Sequence, residues 1–181
     1  MRQLAITAVG EDRPGIVAGV CRVLFEAGGN LRDTSMTILS GQFAMILIVS
    51  VPRGFELTEL ERHLEPARKS LGISTFVREL SEGQPMASGR PEVDEYLVTV
   101  AGADQAGIVF KVAEAMARRG VNITDLNTRV LSEDKTPVYL MMMEVIPPPG
   151  LDMDVFGKEL ADLGRQLAVE VQVRPLDTAA L

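Results

Sequence analysis

The chain has no tryptophan, one histidine and one cysteine, and each scarcity removes a class of function. A single cysteine, Cys21, cannot close an internal disulfide, which accords with a reducing compartment. No pair of His or Cys stands at ligand spacing, so no metal centre is expected. His63 lies in the charged run Glu61-Arg62-His63-Leu64-Glu65, away from the apolar stripe of its helical pattern, and reads as a solvated surface residue. Cys21 borders another apolar stripe with no histidine beside it in sequence, which suits half-buried packing better than nucleophilic chemistry. Neither a phosphate-binding glycine loop nor a dinucleotide fingerprint is present, so no cofactor and no enzymatic activity are expected. No apolar run approaches the ~20 residues of a membrane span, and no basic segment leads into an apolar one at the start. The expected location is the cytoplasm, away from membranes.

Basic clusters are also missing. The net charge is −7, and residues 1–80 hold nine Lys/Arg against nine Asp/Glu, whereas residues 94–181 hold eight against fourteen. A chain that grips phosphate backbones needs a basic face, so direct nucleic-acid binding is not expected.

What the chain does contain is one passage twice. Gly10-Glu11-Asp12-Arg13-Pro14-Gly15-Ile16-Val17 returns 92 residues later as Gly102-Ala103-Asp104-Gln105-Ala106-Gly107-Ile108-Val109. The same shift carries Val20 onto Val112, Gly28 onto Gly120, Asn30 onto Asn122 and Asp33 onto Asp125. Further on it becomes 96, pairing Leu64 with Leu160 and Arg78 with Arg174, through an insertion near Glu133-Asp134-Lys135-Thr136. Two copies of one unit follow, each of roughly 80 residues and large enough for its own core. The expected boundaries are residues 1–80, a polar linker over 81–93 punctuated by Gly83, Pro85, Gly89 and Pro91, and residues 94–177.

In the first copy, Gln3 to Val9 reads as a buried strand ended by Gly10. Pro14 is placed in the first turn of a helix whose stripe is Ile16, Val17, Val20, Val23, Leu24 and Ala27, stopped by Gly28-Gly29. Strands over 30–39 and 43–51 turn around Ser40-Gly41-Gln42, and Thr58-Glu59-Leu60-Glu61 reads as a capping box opening a second helix. Pro66 is expected to kink or split that helix, and 73–80 closes the copy as a strand. The order strand, helix, strand, strand, helix, strand is the split βαβ arrangement of ferredoxin-like folds. The second copy repeats it, with its last helix weakened by Gly157 and Gly164. The fold class is therefore α+β: two ferredoxin-like βαββαβ domains in tandem, with antiparallel sheets and helices on one face.

The shared strand-to-helix turn is where chemistry could sit. Gly15 and Gly107 carry no Cβ, so a ligand could approach the turn closely, and helix-initial N–H groups suit a carboxylate. Asn30 and Asp33, with Asn122 and Asp125 in the second copy, could accept hydrogen bonds from an ammonium group. A free amino acid would satisfy both sets. In the alternative reading Asp12 caps the helix, the glycines only turn the chain, and Asn30 takes a left-handed turn conformation.

The run Asp12 to Val17 followed by Gly28 to Asp33 resembles the ACT domain, a small-molecule-sensing module, over almost the whole chain. It is most similar to the glycine cleavage system transcriptional repressor family, which consists of tandem ACT proteins of about this size. Similar first halves also occur fused to formyltetrahydrofolate deformylase and phosphoserine phosphatase domains, so the turn marks the module and not the pathway. The resemblance implies that an amino acid binds where two ACT domains meet. The positions carried over are Asp12, Arg13, Gly15, Ile16 and Asn30, and in the second copy Asp104, Gly107, Ile108 and Asn122. There Arg13-Pro14 becomes Gln105-Ala106, which removes the fixed charge.

The expected function is regulatory: a small amino acid such as glycine binds, and the signal passes to a protein partner, for which a DNA-binding regulator of glycine cleavage is the candidate. Exposed sheet edges favour a homodimer. The alternative is a scaffold that works through protein contacts with its sites empty.

Overall fold

The computed structural model describes residues 1–81, 94–131 and 137–176. They divide into two compact units. The proposed linker, apart from Ser81, lies outside the described residues, as do the insertion at 133–136 and Asp177.

The first unit runs β1 (Arg2–Glu11), α1 (Ile16–Glu26), β2 (Asn30–Leu39), β3 (Gln42–Val51), α2 (Leu57–Leu71), β4 (Ile73–Leu80). Its strands form one antiparallel sheet in the order β2, β3, β1, β4. Alternation decides which face is buried: Leu4, Ile6 and Ala8 of β1 and Phe43, Met45, Leu47 and Val49 of β3 all point one way. Ile16, Val20, Val23 and Leu24 of α1 and Leu60, Leu64 and Ala67 of α2 close over them at helical spacing. Each fully buried side chain of this size contributes about 1.5–3 kcal/mol. The helices leave β2 uncovered, and all ten of its residues are exposed.

The second unit repeats the plan as β5 (Tyr96–Ala103), α3 (Ile108–Arg118), β6 (Asn122–Leu131), β7 (Val138–Ile146), α4 (Met153–Gln166), β8 (Val169–Pro175), with sheet order β6, β7, β5, β8. Met141 and Met143 are fully buried core residues, and Met142 faces out.

Four local expectations need correction. Pro14 precedes α1, which starts at Ile16, because Gly15 with φ 96° is the N-cap. The Thr58 capping box does not form: α2 begins at Leu57 with Glu56 as N-cap and no side-chain cap, since Leu57 packs on the core one step earlier. Pro66 does not split α2, because it is exposed and the burial of Leu64 and Ala67 on either side carries the helix across. Gly164 is no weak point of α4. A Cβ there would stand 2.7 Å from Val171 Cγ2 and 2.8 Å from the Val169 oxygen, so the glycine lets the helix lie on β8.

Candidate functional site

The repeated turn has the same backbone in both units. Gly15 adopts φ 96°, ψ −9° and Gly107 φ 95°, ψ 0°, a region that side chains other than glycine adopt only with strain. Neither helix has a side-chain cap at this end, so Asp12 does not cap α1. The Gly15 and Gly107 carbonyls accept the first helical bonds, from Gly19 N (2.8 Å) and Lys111 N (3.0 Å). The preceding N–H groups of each helix have no intrahelical acceptor. An ideal Cβ on either glycine would meet nothing within 4 Å, so the turn opens onto free space. Ile16 and Ile108 are buried and anchor the helix starts, while Asp12, Arg13 and Asp104 are exposed.

Arg13 is held beside the turn. Its Nη2 donates to the Ser70 carbonyl at 3.3 Å, where the negative end of α2 faces a cation. The Asp12 N–H donates to the Gly41 carbonyl at 2.8 Å, tying the turn to the β2–β3 hairpin. In the second unit Tyr139 takes the place of Phe43. Burial raises its phenol above the ordinary value, and the nearby Asp104 carboxylate adds to the shift.

The structure does not bring Asn30 to this turn within one unit. Asn30 and Gln3 are both level with Ser50, seven residues along β1 from Gly10, or about 24 Å at strand rise. Asn30 does not take a left-handed conformation either, since among the described non-glycine residues that place belongs to Ser40 and Ala168. Asp33 pairs with Ile48 after a bulge at Arg32, and Asp125 pairs with Glu144 after the matching irregularity. Asn122 is level with Ile146, at the corresponding far end of its sheet.

Two grooves lie elsewhere. One, of about 590 Å³, separates α3 from α4 over Phe110, Ala115, Leu160 and Leu163; the other, of about 580 Å³, is bordered by Arg2, Arg53 and Glu79. Among the described residues there is no cluster of His, Cys, Asp and Glu able to hold a metal, and no helix is long and apolar enough to cross a membrane. His63 is exposed and Cys21 half-buried against the core.

Residues 2–78 match the ACT domain family. A UPF0237 protein of Methanocaldococcus jannaschii is 37% identical over 79 residues, 43% of this chain and 88% of the relative, and one from Methanopyrus kandleri is equally similar over the same shares. The chain belongs to the ACT domain family. The second ACT unit follows from its identical element order and sheet order. A protein of unknown function from Galdieria sulphuraria has the same fold across both units, at TM-score 0.79 and 26% identity, covering 97% of this chain and 98% of that one. A candidate glycine cleavage system transcriptional repressor superposes at TM-score 0.71 and 22% identity over 97% of each chain, a likeness of fold alone.

Proposed function

We propose that this ACT protein is an amino-acid-responsive regulator whose ligand carboxylate binds at the Gly15 turn, and more weakly at the Gly107 turn. The observation that carries the reading is the pair of uncapped helix starts, each opened by a glycine near φ +95° with free space above it. Asp12, Arg13, Gly15 and Ile16 form the first cradle; Asp104, Gly107 and Ile108 form the second. Because Asn30 and Asn122 sit at the far ends of their sheets, they reach a ligand only when another ACT unit presents them to a turn. Ligand binding is then linked to assembly, and differential affinity for one assembly shifts the population.

Glycine is the first ligand to test, given the resemblance carried by Asp12 to Val17. Its five non-hydrogen atoms limit binding to about −7.5 kcal/mol, a dissociation constant of a few micromolar at best. With a net charge of −7 the signal passes through a protein partner, and a DNA-binding regulator of glycine cleavage is the partner proposed.

Thermal unfolding against each of the twenty amino acids at a few millimolar tests this. At ~100 times the dissociation constant one site adds about 2.7 kcal/mol, a midpoint rise of roughly 5–10 °C. A selective rise that Gly15→Ala abolishes supports the sensor. No rise with any amino acid, in a folded sample, leaves the scaffold reading, which the exposed Leu31, Met36, Ile38 and Leu39 of β2 favour.

A further inference from the structure

The two sheets share one register but differ on the face turned away from the helices. In the first unit one row across that face is Arg78, Ala5, Ile48 and Asp33, and the next holds Phe76, Thr7 and Ile46. Asp33 is in that row only because the bulge at Arg32 shifts the strand by one residue, which moves its side chain to the outer face. Phe76 is 66% exposed and Ile46 46%. Arg78 and Asp33 are exposed, and neither has an ion pair or side-chain hydrogen bond among the described residues.

The matching row of the second unit is Arg174, Leu97, Glu144 and Asp125. Here the polar groups answer one another within the face. Arg174 Nη2 donates to Gln172 Oε1 at 2.7 Å, Gln172 Nε2 to Glu170 Oε1 at 2.6 Å, and Asn127 Nδ2 to Asp125 Oδ2 at 2.6 Å. Glu144 replaces Ile48 in the centre, and Gln172 replaces Phe76. Covering this face would strand a carboxylate, and leaving it in water costs nothing.

We propose that the outer sheet face of the first unit is the interface with a second copy of this chain, packed face to face about a two-fold axis parallel to the strands. The charges select that axis. It lays β4 of one copy over β2 of the other at the same height, so Arg78 meets the second copy's Asp33 at both ends, with Ala5 and Ile48 facing each other between them. A two-fold axis across the strands would instead set β4 over β4 and leave both charges unanswered. The face is isologous, as a two-fold dimer requires, with an apolar centre and a charged rim. Four strands of about eight residues span roughly 19 by 27 Å, so two faces cover about 1,000 Å², near the lower limit for a stable interface.

Light scattering and sedimentation of the full chain across a concentration series test the interface. The wild type is expected to be a dimer. Ile46→Glu makes it monomeric, Phe76→Gln weakens it, and Arg78→Asp or Asp33→Arg alone weakens it by roughly tenfold or more, most at low salt. The double variant Arg78→Asp with Asp33→Arg recovers the dimer, a rescue that misfolding cannot mimic, and Met142→Glu on the second unit leaves it intact. A wild type that stays monomeric at tens of micromolar overturns the proposal, as does a dimer indifferent to Ile46→Glu and the charge reversals. Amino-acid binding is read separately by thermal shift, so neither result decides the other.

Discussion

Gly10 of β1 lies against the carbonyl oxygen of Gly72, so close that a Cβ on Gly10 would stand 2.8 Å from that oxygen and 2.9 Å from Ile73 Cγ2. The repeat keeps the device: a Cβ on Gly102 would stand 2.9 Å from Val169 Cα and 3.0 Å from the Ala168 oxygen. In both units this glycine lets the last strand come alongside the first just before the turn at Gly15 or Gly107. Gly10→Ala is therefore expected to cost about 1–3 kcal/mol through forced backbone displacement, lowering the first unit's unfolding midpoint by several degrees. An unchanged melting curve would contradict the close approach.

At Gly15 the constraint is conformational and not steric, since nothing lies within 4 Å of an added Cβ. Gly15→Ala should cost about 1 kcal/mol, and Gly15→Asn less, because asparagine tolerates positive φ better. Urea unfolding of the two variants checks the order. Equal losses would mean that something other than φ constrains this residue.

Much of the fold was legible because its signals are periodic. The alternation of Leu4, Ile6 and Ala8 and the stripe of Leu60, Leu64 and Ala67 give element type directly, and the repeat supplies each unit with an independent second reading. The turn glycines were legible for the same reason. Less legible were features set by contacts distant in sequence. That Pro66 is tolerated depends on the burial of its neighbours, and that Gly164 is required depends on Val171. The sequence groups Asn30 with the turn only through the chemistry of a free amino acid, which would satisfy both sets of groups, and that chemistry carries no distance. The returning helix instead delivers Asn30 to the opposite end of the sheet, level with Gln3. The bulges at Arg32 and Thr124, which decide the face of Asp33 and Asp125, carry no signal in composition or period.

Tyr139 gives the second unit an alkaline limit. Burial, with help from Asp104, holds its proton more tightly in the folded state than in the unfolded chain. Above the ordinary tyrosine value near pH 10 the unfolded state therefore loses this proton first, and stability falls as pH rises. Tyr139→Phe, which copies Phe43, removes that term and gives up only a 3.7 Å contact from the hydroxyl to Met141 Sδ. The two proteins should unfold alike at pH 7 and diverge above pH 10, the variant being the more stable. Parallel pH profiles would show that the phenol titrates as if exposed.

Arg13 separates a structural role from a ligand role at one residue. Its guanidinium already serves the Ser70 carbonyl at the end of α2, an exposed helix-end contact worth a few tenths of a kcal/mol and screened by salt. Arg13→Gln copies Gln105, and should reduce stability only slightly. If the remaining guanidinium N–H groups meet the ligand carboxylate, the same change should weaken the tighter amino-acid site by roughly tenfold and bring the two turns to similar affinity, because a charge-assisted hydrogen bond contributes about 1.5–3 kcal/mol. Calorimetric titration of wild type and variant reads both sites in one experiment. Loss of the tighter isotherm with thermal stability preserved assigns Arg13 to the ligand, whereas an unchanged isotherm confines it to the end of α2.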